Sequence, residues 1–258
     1  MAATIDDPTV DLNADLGEGF GQWTMGDDEA LLDIVTSANV ACGFHAGDPC
    51  IMRRICQSAA DKGVTIGAHV SYNDLVGFAR RRMDVPTLTL IDDIIYQIAA
   101  LDGFARVAGT NVAYVKPHGA LSNAAAVDER QAVAIVTAAQ LYNPELIVLA
   151  PASTELERRS RGAGMPTETE AFPDRAYHRD ATLVARSKEG AVLHDAELVA
   201  ERAVRMARHH EVVDFDGTVI DIRARSLCIH GDTPGAVQSA RTTRHALIDA
   251  GIRLAPFA

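Results

Sequence analysis

The sequence predicts an α/β fold of the TIM-like type, a seven-stranded (β/α) barrel formed by a single domain over residues 1–258. Three observations predict it. Short apolar, β-branched runs alternate with longer amphipathic stretches, the pattern of parallel strands joined by helical crossovers. About seven such units fit the length of one α/β barrel. Polar and ionisable residues recur where the apolar runs stop, which in a barrel is a single rim.

In chain order the strand-like runs are TVDLNADL, SANVACGF, GVTIGAHV, NVAYVKPH, PELIVLA, TETEAF and RSLCIHG. Helical stretches such as DDEALLDIVTS, PCIMRRICQSAADKG and LTLIDDIIYQIAALDGFARVAG separate them. Asp48 and Pro49 read as an N-cap and a first-turn proline, and Gly63 as the stop of the same helix. From Phe172 to Asp195 no long helical pattern appears. A charged loop of that length usually covers a site or meets a partner. Beyond it, EVVDFDGTVIDIRA predicts a β-hairpin around Asp216 and Gly217. No linker, low-complexity segment or short repeat divides the chain.

Composition excludes some classes of partner. Asp and Glu number 35 against 24 Lys and Arg, a net charge of −11, which disfavours nucleic acid and anionic membranes. No apolar run is long enough to cross a bilayer. The opening MAATIDDPTV carries neither a basic start nor an apolar stretch, so a cytoplasmic protein is expected. Cys42, Cys50, Cys56 and Cys228 form no CxxC pair and are expected to be reduced packing residues.

The strand ends carry the chemistry. The first supplies Asn13, Asp15 and Glu18, the second His45, and the third His69. The fourth supplies Lys116 and His118, the sixth Glu170, and the last His230 and Asp232. His178, His194, His209, His210 and His245 lie in loop-like or helix-like stretches and read as surface residues. Of the 24 basic residues only Lys62, Lys116 and Lys188 are lysines, and Lys116 alone ends a strand. A compact ammonium there can meet a developing oxyanion or a phosphoryl oxygen.

Asp15, His45, Lys116 and His118 are the catalytic candidates. Asp15, His69 and His118 have the ligand types for a divalent metal, with His45 or Glu18 as a fourth ligand or a general base. The competing reading is a metal-free site where His and Asp shuttle protons. Arg81, Arg82 or Arg175 could clamp a substrate carboxylate. Asn13, Glu18, Glu170, His230 and Asp232 complete the substrate-binding candidates. GEGFGQW is not a P-loop, and GxxxxGK[ST] occurs nowhere in the chain. If ATP takes part as co-substrate, it is held without a Walker motif or by another polypeptide.

DLNADLGEGFG, SANVACGFHAGDP, IGAHVSY, GFARRRM, VKPHGAL, DRAY and HGDTP, in that order from about Val10 to Leu254, resemble the LamB/YcsF family of bacterial 5-oxoprolinase A subunits. The resemblance implies a seven-stranded barrel of the glycoside hydrolase/deacetylase type. It also implies ATP-dependent opening of 5-oxo-L-proline to L-glutamate, together with B and C subunits. By distant analogy with metal-dependent deacetylases of this superfamily, NADLG, GAH and KPH single out Asp15, His69 and His118 again.

Five positions depart from the family pattern. Val70 stands for the proline of GAHPSY, Ala79 interrupts GFGRR, and Ser122 replaces the tyrosine of HGALYN. Pro173 replaces the alanine of FADR, and Ala185 the proline of LVPR. The ionisable residues are kept throughout, so these changes bear on loop shape and substrate fit more than on chemistry. Two other functions fit the residues: an ATP-independent, metal-dependent deacetylase or amidase acting on a carbohydrate or small amide, and a non-catalytic barrel that binds a small acid and scaffolds a complex.

Overall fold

The structure is a computed structural model and describes residues 8–232 and 235–258, so Thr233 and Pro234 of HGDTP lie outside the described residues. Strand β1 (Thr9–Leu16) leads through α1 (Asp28–Leu32) to β2 (Ser37–Ala41), and through α2 (Pro49–Lys62) to β3 (Thr65–Val70). Helix α3 (Thr87–Val107) precedes β4 (Val112–Pro117). Helices α4 (Gly119–Ala125) and α5 (Glu129–Tyr142) precede β5 (Ile147–Pro151), and α6 (Glu155–Gly162) precedes β6 (Thr167–Ala171). After the long loop come α7 (Ala196–His209) and the strands β7 (Glu211–Val213) and β8 (Val219–Asp221). The chain ends with β9 (Ser226–Ile229), α8 (Ala236–Asp249) and β10 (Arg253–Leu254).

Seven parallel strands close the barrel in the order β1-β2-β3-β4-β5-β6-β9, and β9 returns to β1 with Asp11 opposite Ser226 and Ala14 opposite Ile229. Each strand-like run of the sequence is a barrel strand. The hairpin also forms, with β7 antiparallel to β8. The sequence pattern does not announce β10, a two-residue strand that pairs with Thr9 and Val10 at the start of β1.

Helix α2 begins and ends as its sequence dictates. The Asp48 carboxylate accepts from the backbone N–H of Cys50 (2.8 Å) and Ile51 (3.0 Å), and Gly63 takes the left-handed conformation at φ 67°. The other Asp48 oxygen accepts from the Gly21 N–H at 2.8 Å. One cap therefore ties the loop after β1 to the loop after β2, and those loops carry Glu18 and His45.

The barrel axis is unusually polar. Alternate residues of a strand face the same side, and on β1 these are Asp11, Asn13 and Asp15, all buried. They are satisfied as a column. Asp11 accepts from Thr36 Oγ1 (2.6 Å), Ser37 Oγ (2.7 Å) and Ser226 Oγ. Asn13 donates to Ser226 Oγ at 2.6 Å and accepts from Asn39 at 2.6 Å, and Asn39 also donates to Asp15 at 2.8 Å. Tyr114 fills the space beside the column, its hydroxyl donating to Asn39 Oδ1 at 2.6 Å.

That ring fits only because its neighbour on β3 is a glycine. A Cβ on Gly67 would come within 2.1 Å of the Tyr114 ring. Gly67→Ala should therefore overpack the barrel and cost at least about 1–3 kcal/mol, read as a lower denaturant midpoint with an unchanged slope.

Candidate active site

The site is built on one ammonium. Lys116, at the end of β4, is buried and holds Nζ 3.0 Å from Asp15 Oδ1, 3.0 Å from Glu170 Oε2 and 3.1 Å from Cys228 Sγ. Those partners come from β1, β6 and β9. Burial works against the charge on Lys116, but Asp15 beside it prevails and holds its pKa well above the usual lysine value. Burial likewise opposes the Asp15 carboxylate, yet Lys116 and His69 hold it well below the usual range. At Glu170 burial prevails and lifts the pKa to about 7 despite Lys116.

Beside this array stands a cluster of imidazoles. The His45 and His118 rings stack with centroids 4.0 Å apart, and His69 meets both edge-on at 5.4 and 5.0 Å. Glu18 Oε1 lies 3.6 Å from His45 Nε2 and 3.7 Å from His118 Nε2. One ligand-type atom from each of Glu18, His45, His69 and His118 lies within 4.8 Å of the others. Burial depresses all three imidazole pKa values, helped by repulsion from neighbouring rings at His45 and His118 and from Lys116 at His69, so each ring is neutral and keeps one nitrogen unprotonated.

Glu18 Oε1, His45 Nε2 and His69 Nε2 are buried and make no aligned hydrogen bond. Three neutral imidazoles and a carboxylate with orphaned atoms fit a divalent cation. The carboxylate of this cluster is Glu18. Asp15, expected in the triad, is engaged by Lys116 and Asn39 instead, although it stays 3.3 Å from His69 Nε2.

Asp15, His69, Lys116, His118 and His230 line a cavity of about 360 Å³ at the barrel mouth. His230, at the end of β9, sets its Nδ1 2.7 Å from Asp174 Oδ2. Burial opposes the Asp174 charge, but His230 beside it holds the carboxylate below its ordinary range. An ionised Asp174 accepts from Nδ1 and fixes the orientation of the ring. Asp174 was missed in the sequence. It opens the quoted DRAY, where the neighbouring Arg175 was the residue singled out.

The arginines redistribute. Arg81 turns onto Asp74, with Nε 3.0 Å from Oδ2, and Arg82 onto Asp128 at 3.0 Å, and neither lines the cavity. Arg80 does, paired with Asp232 at 2.5 Å. Its place is set by Phe78 and Ala79, which hold positive φ of 51° and 42°. Ala79 thus keeps a glycine-like conformation at a cost of about 1–2 kcal/mol.

Arg175 borders the cavity but spends its guanidinium on the backbone, donating to Val184 O (2.7 Å) and Ala191 O (3.2 Å). It pins the long loop rather than offering a free clamp. Arg186, overlooked in the sequence, lines the cavity from that loop with no hydrogen bond or ion pair recorded among the described residues. Asn13 lies beneath the mouth, 3.4 Å from Lys116 Nζ. No described helix is long and apolar enough to cross a membrane.

The LamB/YcsF family profile matches residues 10–258. A protein of Streptomyces avermitilis, named as the A subunit of 5-oxoprolinase, is 56% identical over 249 residues, covering 96% of this chain and 100% of its own length. The crystal structure of a lactam utilization protein from Thermus thermophilus superposes with a TM-score of 0.92 at 41% identity, covering 96% of this chain and 100% of its own. A family 4 carbohydrate esterase from Streptomyces lividans, at 11% identity and a TM-score of 0.50 over 97% of this chain and 93% of its own, shares the fold.

Lys116→Met should strip two buried carboxylates of their counter-charge and cost about 3–5 kcal/mol near neutral pH. In the variant both carboxylates bind protons more tightly when folded than when unfolded. The loss should therefore shrink as pH is lowered from about 8 to about 5. Denaturant midpoints across that range would check this, and a pH-independent loss would contradict it.

Proposed function

The chain belongs to the LamB/YcsF family, and from that premise we propose that it is the lactam-hydrolysing component, the A chain, of a cytoplasmic, ATP-dependent 5-oxoprolinase. It opens 5-oxo-L-proline to L-glutamate with B and C partner subunits. The observation that carries this reading is one cavity holding a buried ammonium, an ionised carboxylate, an imidazole oriented by Asp174 and the guanidinium of Arg186, unpaired among the described residues.

A lactam carbonyl is stabilised by resonance, and ring opening near neutral pH is uphill, so the reaction needs activation. Phosphorylation of the lactam oxygen by ATP would make the ring carbon electrophilic. With no P-loop in the chain, the nucleotide is assigned to the partner subunits and the hydrolytic half to this one.

Within the cavity, Arg186 meets the substrate carboxylate. Lys116 turns toward the ring oxygen by giving up Cys228, its weakest acceptor, and a donor of this kind is worth about 3–4 kcal/mol in the barrier. Asp15, ionised at the cavity floor, orients the attacking water. His230 takes the proton that the attacking water loses and gives it to the ring nitrogen as the C–N bond breaks, Asp174 steadying the imidazolium in between. A second water hydrolyses the resulting acyl phosphate to glutamate and inorganic phosphate. Glu18, His45, His69 and His118 would hold a divalent cation, which when bound supplies Lewis-acid polarisation and a more acidic water.

The same cluster favours a second reading, a metal-dependent deacetylase or amidase that needs no ATP. Glutamate release from 5-oxoproline and ATP, measured with and without partner subunits and with metal analysis of the same sample, separates the two. Release should require the partners. ATP hydrolysis at full rate by the chain alone would refute the division of labour, and ATP-free activity on acetylated sugars would favour the second reading.

Asp174→Asn should lower turnover in the assembled enzyme by about two orders of magnitude or more while leaving the melting temperature within a few degrees. Unchanged turnover would remove the His230–Asp174 pair from the mechanism.

A further inference from the structure

A second cavity of about 330 Å³ lies beside the mouth, between α4 and the loop after β6. The two spaces share a wall of Ser122, Asn123, Phe172, Leu183 and Ala185. Beyond it the lining is largely apolar, with Ala126, Val127, Ala152 and the Tyr177 ring, while Asp180 stands at an exposed edge.

One fully buried charge, Glu170, reaches this chamber. Its Oε2 lies 3.0 Å from Lys116, which lines the other cavity, while its Oε1 has no hydrogen-bond or ionic partner among the described residues. A buried acceptor left open in this way suits a ligand rather than a packed core.

The bare substrate does not need this room. Cavities of about 300–1,000 Å³ bury drug-sized ligands, and 5-oxoproline is a single small ring with one carboxylate. No step of the mechanism uses the chamber. Ser122 and Ala185 are two of the five departures from the family pattern, and each puts a smaller group into the shared wall.

We propose that the second chamber is a subsite for an apolar arm on the substrate, so that the chain accepts substituted lactam acids as well as the bare ring. This rests on the lactam reading above. The arm packs against Ala126, Ala152 and Tyr177, and Glu170 accepts from any N–H or O–H it carries.

The test compares calorimetric binding of 5-oxoproline and of 4-benzyl-5-oxoproline to the full chain assembled with its partner subunits. Burial of the aryl arm should tighten binding at least about tenfold over the bare ring. Ala126→Phe fills the chamber from the residue that caps α4, which lines the chamber and not the mouth. It should lower affinity for the benzyl compound at least about tenfold and leave 5-oxoproline within about twofold. Ala152→Leu fills the same space from the end of β5 and serves if the first variant melts early.

Benzyl binding that is indifferent to both fillings overturns the subsite, as does binding of the bare ring alone. Failure of both lactams to bind would instead overturn the lactam reading, and the subsite with it.

Discussion

A single buried ammonium governs the mouth of this barrel. Lys116 stands between Asp15 and Glu170 and is the counter-charge that lets either ionise in that interior. The three side chains come from β4, β1 and β6, which are not neighbours in the sheet. Their convergence requires the barrel to be closed and in register, with Asp15 opposite Asn39 on β2 and Lys116 opposite His69 on β3. Fold and site therefore impose the same condition on the strands.

Around that charge the rim divides into two kinds of imidazole. His45, His69 and His118 form a group with unclaimed nitrogens beside Glu18, suited to a cation. His230 has one nitrogen claimed by Asp174, suited to moving a proton. The loop from Phe172 to Asp195 supports this second half. Its internal hydrogen bonds, the buried Arg175 and the donations of Arg202 to Pro173 O (2.8 Å) and Arg175 O (2.7 Å) hold it over the cavity.

Much of this could be read in the sequence, because parallel strands end on one rim and their last residues are ionisable. Asp15, His69, Lys116, His118 and His230 were placed by that rule alone, and the structure sets them around one cavity. What escaped depends on loop geometry, which has no period. Three consecutive arginines look alike in a string. Positive φ at Phe78 and Ala79 brings Arg80 to the cavity, while Arg81 and Arg82 turn to carboxylates elsewhere. Glu18 and His45, named as a fourth ligand or base, both join His69 and His118 in one cluster, whereas the pairing of Asp15 with a lysine a hundred residues away in the chain has no local signal.

Strand β1 pairs with β2 on one side and with β9 and β10 on the other. The first strand of the barrel thus waits for its last partners before its edge is covered. Until then Asp11 lacks the hydroxyl of Ser226, and Lys116 emerges well before Glu170 and Cys228. Contacts so distant along the polymer make assembly slow and expose open strand edges. The growing barrel is therefore a client for chaperone protection until β9 has been made.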